Sequence, residues 1–456
     1  MRIDKRDNVE VDITSGHKKA LTDIKKGEAI IKYGYPIGCA TEDIKTGELV
    51  HSHNLKTLLS GKVSYEFNKK TYSMESPKEE RFFYGFLREN GEVGIRNEIF
   101  IINTVGCINS VAERIAEITG ERAFPHPYGC SQLGDDFKTT IKILCGLIRH
   151  PNAAGVLVLG LGCENSNIAE FKKELGSYDP ERVLFLNCQD AENEVEEGVR
   201  LVRILQERKA KYKREKLPLS KLIIGLKCGG SDGFSGITAN PLVGRISDKL
   251  VSYGGSAILT EVPEMFGAET ILMDRAKSEE VFNKTVNLIN NFKDYYERHN
   301  QVIYENPSPG NKAGGITTLE EKSLGCVTKG GFSEVVDVLS LGEKVKERGL
   351  SLLDGPGNDM VAITNLASSG AHLILFTTGR GTPLGGPVPT VKISSNTPLF
   401  EKKGNWLDFD AGRILAGEDL TEEFFEFIIK IASGEETKNE VNGFREIAIF
   451  KNGVTL

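Results

Sequence analysis

The chain has 456 residues, 39% of them hydrophobic and 27% charged, and 57 basic against 64 acidic residues give a formal net charge of −7. This balance excludes a disordered chain and lacks the basic footprint of a nucleic-acid binder. At about 150 residues per domain the length predicts roughly three domains. Met1–Asp12 is charged from residue 2, so no secretory signal is expected, and no apolar run approaches the ~18 residues of a membrane span. Eight cysteines without a CxxC pair predict reduced thiols and a cytoplasmic setting.

Residues 1–75 carry an internal repeat. Asp23-Ile24-Lys25-Lys26-Gly27-Glu28 recurs as Asp43-Ile44-Lys45-Thr46-Gly47-Glu48, each copy a Gly turn leading into an apolar strand. A small β domain is expected there, with Ser73–Arg81 as a linker. Residues 82–220 change rhythm. Strands are expected at 99–105, 155–160 and 182–186, and helices at 110–118 and 190–206. Residues 221–456 restart the pattern with strands at 222–226, 257–260 and 373–376 and a helix at 242–253. Near 304–331 the pattern dissolves into a Gly/Pro/Asn-rich stretch that reads as a long loop. The fold class is α/β: a small β domain, then two α/β domains with mostly parallel sheets.

Each apolar strand ends at a cysteine or a polar cluster. Cys107, Cys163, Cys188 and Cys228 follow four different strands. Ligands of open α/β sheets bind beyond the carboxyl ends of the strands. Buried packing explains a strand-end cysteine equally well, least so for Cys228 among its small polar neighbours. Cysteines from three strand ends are also a ligand set that an iron–sulfur cluster accepts. Cys228–Gly236 (CGGSDGFSG) leads toward a helix start at Asn240-Pro241, an anion-binding arrangement through free N–H groups. It matches neither a Walker A loop nor GxGxxG, so a carboxylate or small phosphate is the expected guest.

His51 and His53 alternate in the sequence and would share a face on an extended chain, as a divalent Fe, Mn or Zn site requires. His126 lies in a Pro-stiffened loop with Cys130 and Gln132. Arg96-Asn97 precedes a strand, and Arg offers a bidentate fork to a carboxylate. Thr377–Gly381 places Arg380 at another strand end. Glu320–Ser323 reads as an exposed helix start.

Several strings resemble the altronate/galactarate dehydratase family: GFLRENGEVGIRN at 85–97, HSHN at 51–54, EKSLG at 321–325, CGGSDGFSG at 228–236 and FTTGRG at 376–381. The resemblance spans nearly the whole chain. It implies a SAF-type β-clip domain at 1–75, α/β domains at 82–220 and 221–456, and dehydration of a sugar acid to a 2-keto-3-deoxy acid with Fe(II), or alternatively Mn(II). It leaves open a sulfolactate sulfo-lyase type of elimination, and a binding protein that does no chemistry remains the rival from another class. Under this reading His51, His53, His126 and Lys322 are the candidate acid–base residues. Asn54, Arg96, Asn97, Gln132, Gly229, Gly230, Ser231, Asp232, Ser235 and Arg380 are the candidate substrate contacts. His51, His53, Cys107, Cys130, Cys163 and Cys228 are the candidate metal ligands. A small-molecule sugar acid, no nucleic acid, no membrane and a homodimer are the expected partners. With the histidines and the Gly-rich loops in different domains, the site is expected between domains or subunits.

Overall fold

The computed structural model describes residues 1–73, 77, 79–453 and 455. Residues 74–76 and 78 of the expected linker lie outside them.

The first domain consists of two three-stranded antiparallel sheets. One joins Val9–Val11, Lys18–Ala20 and Leu49–Val50; the other joins Ala29–Lys32, Tyr35–Ala40 and Leu55–Lys56. The sequence repeat is a structural one. Ile24 and Ile44 bridge each other, and each repeat's Asp caps the other repeat's turn: Asp43 accepts from Lys26 N and Asp23 from Thr46 N, both at 3.0 Å. Gly27 and Gly47 sit at φ +87° and +84°, the left-handed region that favours glycine at these turns.

The second domain is built on a four-stranded parallel sheet in the order Arg122–Ala123, Glu98–Asn103, Ala153–Gly160, Val183–Asn187. The chain begins at Glu98–Asn103, steps to one side, then crosses to the other. Helices Asn109–Thr119, Gly134–Arg149, Ile168–Leu175 and Glu194–Lys209 cover it.

The third domain holds a seven-stranded parallel sheet in the order Val335–Leu339, Gly349–Leu353, Ser256–Leu259, Ile223–Cys228, Leu373–Thr378, Thr390–Ser394, Phe409–Asp410. Strand order reverses around Ile223–Cys228, so the crevice at the carboxyl ends of that strand and of Leu373–Thr378 is the predicted ligand site. One apolar core runs from the first domain into one face of this sheet, joining Ile30 and Ile37 to Leu324 and Leu226. A second core joins the other face to the second domain through Leu144, Leu147, Leu366 and Ile374. The large sheet therefore lies between the other two domains.

The stretch expected to be a loop near 304–331 contains helices Pro309–Ala313 and Leu319–Val327. All nine residues of the second are buried, so its acidic start is not exposed. Charged residues enter a core only with partners: those of Glu321 are Lys18 and Lys32 of the first domain, 303 and 289 positions away, and that of Lys322 is Glu264.

Candidate functional site

Five loops meet at the crevice. Gly233 N donates to Gly314 O at 2.7 Å, and the Gly16 backbone packs against both Gly233 and Gly315 so closely that no Cβ would fit. The first domain thus touches the 229–235 loop directly. Asp232 braces its own loop and ties the 395–396 loop to it. It accepts from the hydroxyls of Ser235 and Ser395 at 2.8 Å each, and from Asn396 Nδ2 at 2.9 Å. Gly230, at φ +64°, passes against the Arg380 side chain. Arg380 is exposed and forms no ion pair among the described residues. The Ser231 hydroxyl is buried and without a partner there.

His51 enters this crevice half-buried. Its Nε2 lies 3.0 Å from Lys312 O and its Nδ1 3.0 Å from Ser52 Oγ. A carbonyl only accepts, so in the neutral ring Nε2 carries the proton and Nδ1 is the basic nitrogen. Burial pulls its pKa below the usual histidine value. The His17 ring centroid is 5.4 Å away. His51 and His53 fall in a turn after Leu49–Val50, not on a strand, so they do not share a face; His53 is exposed. Among the described residues no group of three metal-ligating side chains includes either. Asn54 closes that turn, its side chain accepting from His51 N and donating to Leu49 O at 2.9 Å each.

Beneath the crevice lies a buried ionic cluster. Cys228 Sγ is 3.4 Å from Cys326 Sγ and 3.0 Å from Glu264 Oε2, and Cys326 Sγ is 3.2 Å from the same oxygen. Lys329 Nζ donates to Cys228 Sγ at 2.9 Å, Lys322 pairs with Glu264 at 2.8 Å, and Lys227 pairs with Glu261 and with Asp359. A hydrogen bond from Cys326 and the nearby ammonium groups bring the Cys228 thiol down to about 6, a thiolate at neutral pH. Burial, the thiolate and Glu264 push Glu261 up.

The donors Cys228, Glu264 and Cys326 lie within 4.8 Å of one another. Cys326 keeps its proton in this arrangement, because its hydrogen bond to the Cys228 thiolate and its burial push it well above the usual thiol value; a bound cation would displace that proton and bring the second thiolate into the ligand set. Two sulfurs and a carboxylate suit a divalent cation chemically. The residues present fit such an ion.

A third buried group joins two domains. Glu321 Oε2 accepts from Lys18 Nζ at 2.9 Å and Oε1 from Lys32 Nζ at 2.8 Å, and Thr317 N and Oγ1 also donate to Oε2. The two lysines hold Glu321 far below the usual carboxylate range. Burial brings Lys18 down to about 8.

Three family models match in order: the altronate/galactarate dehydratase SAF domain over residues 2–58, the D-galactarate dehydratase/altronate hydrolase second domain over 85–210, and the D-galactarate/altronate dehydratase C-terminal domain over 219–455. The chain is 55% identical to an altronate dehydratase of Bacillus subtilis (strain 168), covering 98% of this chain and 93% of that one. It is 53% identical to an altronate dehydratase of Escherichia coli (strain K12), with the same coverage. The chain belongs to the galactarate/altronate dehydratase family. It is a sugar-acid hydro-lyase. A galactarate dehydratase (L-threo-forming) of Escherichia coli (strain K12) is 33% identical over 93% of this chain and 87% of that one.

Within this dehydratase several expected contacts are structural. Arg96 is buried in a fork to Glu440, at 2.6 and 2.9 Å, and donates to three backbone carbonyls, so its guanidinium is fully committed. Asn97 binds Arg88 and Lys209 O. His126 is not a base: its Nδ1 accepts from Tyr128 N, its Nε2 donates to Asn103 O at 2.7 Å, and burial pulls its pKa to about 4. Gln132 holds Gly129 N. Asp232 and Ser235 brace the loop from within. Gly229, Gly230, Ser231, Arg380 and His51 stand at the crevice, with Cys228 and Lys322 directly below. Cys107, Cys130 and Cys163 are exposed in loops of the second domain and form no ligand group with the crevice residues. Sequence reasoning missed His17, Lys18, Lys32, Lys227, Glu261, Glu264, Cys326 and Lys329. Cys326 directly follows the EKSLG string and Lys227 directly precedes CGGSDGFSG, which is the local signal that could have found these two. Among the described residues no helix is long and apolar enough to cross a membrane.

Proposed function

We propose that this dehydratase acts on altronate, a hexonate with one carboxylate, and converts it to the 2-keto-3-deoxy acid in the crevice between the first and third domains. The carrying observation is the identity to the two altronate dehydratases, 55% and 53%, against 33% to the galactarate enzyme. The crevice supports it. With Arg96 committed to Glu440, Arg380 is the arginine of the crevice loops, one bidentate fork for one carboxylate. A dicarboxylate would call for a second.

Arg380 holds the C1 carboxylate and lowers the cost of charge that develops as the C2 proton leaves. Ser231 offers its unpaired hydroxyl to a substrate hydroxyl. His51, kept neutral by burial and oriented by the Lys312 carbonyl, takes the C2 proton at Nδ1. To His17, whose ring centroid is 5.4 Å from that of His51, we assign the protonation of the departing C3 hydroxyl. Asp232 positions the loops and does not touch the reacting atoms. Fe(II), with Mn(II) as the alternative, is the ion assigned to Cys228, Glu264 and Cys326; the sulfur donors favour iron. Bound there it would supply positive charge behind the 229–232 loop. The eight free cysteines agree with a reducing cytoplasmic setting.

The test is an anaerobic assay of the full chain, loaded with Fe(II) or Mn(II), on a panel of hexonates, hexarates and 3-sulfolactate. A keto-deoxy product from altronate at a kcat/KM at least tenfold above galactarate is expected. Preference for galactarate, or release of sulfite from sulfolactate as the main reaction, overturns the proposal.

A further inference from the structure

The second domain repeats, on a smaller sheet, the topology that makes the crevice of the third. Its strand order reverses between Glu98–Asn103 and Ala153–Gly160, so its own crevice lies beyond the carboxyl ends of those strands. The loops that leave the three strands there are 104–108, 124–133 and 161–167. Each carries one exposed cysteine: Cys107, Cys130 and Cys163.

The loops are bound into one surface. Gly106 N donates to Tyr128 O at 2.8 Å. Ser166 Oγ lies 2.9 Å from both Thr104 O and Gly129 O, its single proton shared between the two carbonyls, and Thr104 Oγ1 donates to Glu164 Oε1 at 2.6 Å. Every cysteine is thus adjacent in sequence to a residue of this network. Gly129, at φ +98°, packs so tightly on the Thr104–Val105 backbone that no side chain would fit. Ser131 beside it adopts φ +56°, an unusual conformation for a residue with a Cβ.

We propose that Cys107, Cys130 and Cys163 are the three protein ligands of an iron–sulfur cluster of the [4Fe–4S] type. The three sulfurs are not all within 4.8 Å of one another, whereas thiolates on a single tetrahedral ion sit roughly 3.8 Å apart, given metal–sulfur bonds of about 2.3 Å. A cubane, which binds one thiolate at each of three corners, spreads its ligands further. The thiolate charge also has compensation: helices Asn109–Thr119, Gly134–Arg149 and Ile168–Leu175 each begin just after one of the cysteine loops, and the first two have no side-chain cap. Helix ends alone would accept any anion. Three thiols, one per loop, are what specify iron and sulfide.

The neighbouring side chains leave the fourth iron without a protein ligand. Both ring nitrogens of His126 are bonded, Glu164 accepts from Leu161 N, Gly162 N and Thr104, and Gln132 Oε1 accepts from Gly129 N. Cys188, at the end of the next strand, is buried. The fourth corner is therefore open to water or to an oxygen ligand. This centre is separate from the Cys228–Glu264–Cys326 group and does not depend on the choice of substrate.

The experiment is anaerobic reconstitution of the full chain with ferric iron, sulfide and a thiol that reduces half of the iron, followed by desalting and chemical determination of iron and acid-labile sulfide. About four sulfides per chain, with broad visible absorption, are expected. Cys107→Ser, Cys130→Ser and Cys163→Ser should each lose most of the sulfide while keeping the far-ultraviolet dichroism of the parent. Cys228→Ser should retain it. Wild-type protein that takes up iron without sulfide, or a triple Cys→Ser variant that retains as much sulfide as the parent, overturns the proposal.

Discussion

Replacing Glu321 by Gln tests the account of how the first domain is held. Among the described residues the carboxylate is the sole acidic partner of two fully buried ammonium groups, at 2.9 and 2.8 Å. The Glu321→Gln change keeps the side chain's shape and leaves both cations without a counter-charge. Breaking a buried pair from one side costs about 3–5 kcal/mol, and here one removal strands two ions. Lys18 is the group that can yield, since burial already holds it at about 8 in the parent. In the variant it gives up its proton, so the loss should be largest near neutral pH and shrink as pH rises. Lys18→Met gives the contrasting result. It removes the surplus cation, leaves Lys32 and Glu321 as a matched pair, and should cost under about 2 kcal/mol. Urea denaturation followed by circular dichroism, at pH 7 and pH 9.5, reads all three proteins. An E321Q loss below about 1 kcal/mol, or one equal to that of K18M, would refute the reasoning. The parent carries its own signature. Folded Lys18 titrates near 8 and unfolded lysine near 10.5, so the unfolded state binds more protons in between and this group's contribution to stability rises with pH across that window.

Arg96→Ala should lower stability by about 3–5 kcal/mol and leave KM for the sugar acid within about twofold in the protein that remains folded, because its fork faces Glu440; a KM rise above tenfold would return Arg96 to the pocket. His51→Gln should lower kcat by about 10²–10⁴ with little change in KM, while His53→Ala retains near-parent turnover, both read in the anaerobic assay. His126 should stay neutral until pH falls to about 4 in an NMR titration. Its unfolded value is near 6.5, so the unfolded state binds the extra proton between those limits, and this group's contribution to stability, roughly 3 kcal/mol, is lost as pH falls through that range. Fe(II) at a hundredfold excess over its dissociation constant should stabilise the parent by about 2.7 kcal/mol in urea titrations, and Cys228→Ser/Cys326→Ser should abolish the part due to their site.

The central strands of both parallel sheets were legible because buried parallel strands read as unbroken apolar runs, as Ala153–Gly160 and Leu373–Thr378 do, whereas Arg122–Ala123, Val335–Leu339, Gly349–Leu353, Thr390–Ser394 and Phe409–Asp410 were not read from the sequence. Their carboxyl-end loops were legible for the same reason, and with them Ser231 and Arg380. Legibility failed wherever a charged residue is neutralised by one far away in sequence. Arg96 looked free because Glu440 is 344 residues downstream. The Leu319–Val327 helix looked exposed because Lys18 and Lys32, which offset the cost of burying it, belong to another domain. His126 looked like a base because nothing in the sequence reveals that Asn103 O and Tyr128 N occupy both of its nitrogens. The histidine pair misled through its local geometry: a two-residue strand gives way to a turn, and alternation of side chains no longer applies.

The segment after residue 56 has no regular secondary structure, yet it is fastened along the third domain. Leu58 N donates to Glu320, Tyr65 OH to Glu269 at 2.6 Å, and Lys70 N to Asp274 O at 2.6 Å, while Phe67 stacks near Phe282. The first domain is therefore docked on the domain most distant from it in sequence, and the described segment that follows it is fastened there as well. Covalent continuity and spatial attachment are separate in this molecule. A backbone cut between residues 73 and 81 would leave a two-piece protein whose halves still meet at Glu321, with the crevice intact between them.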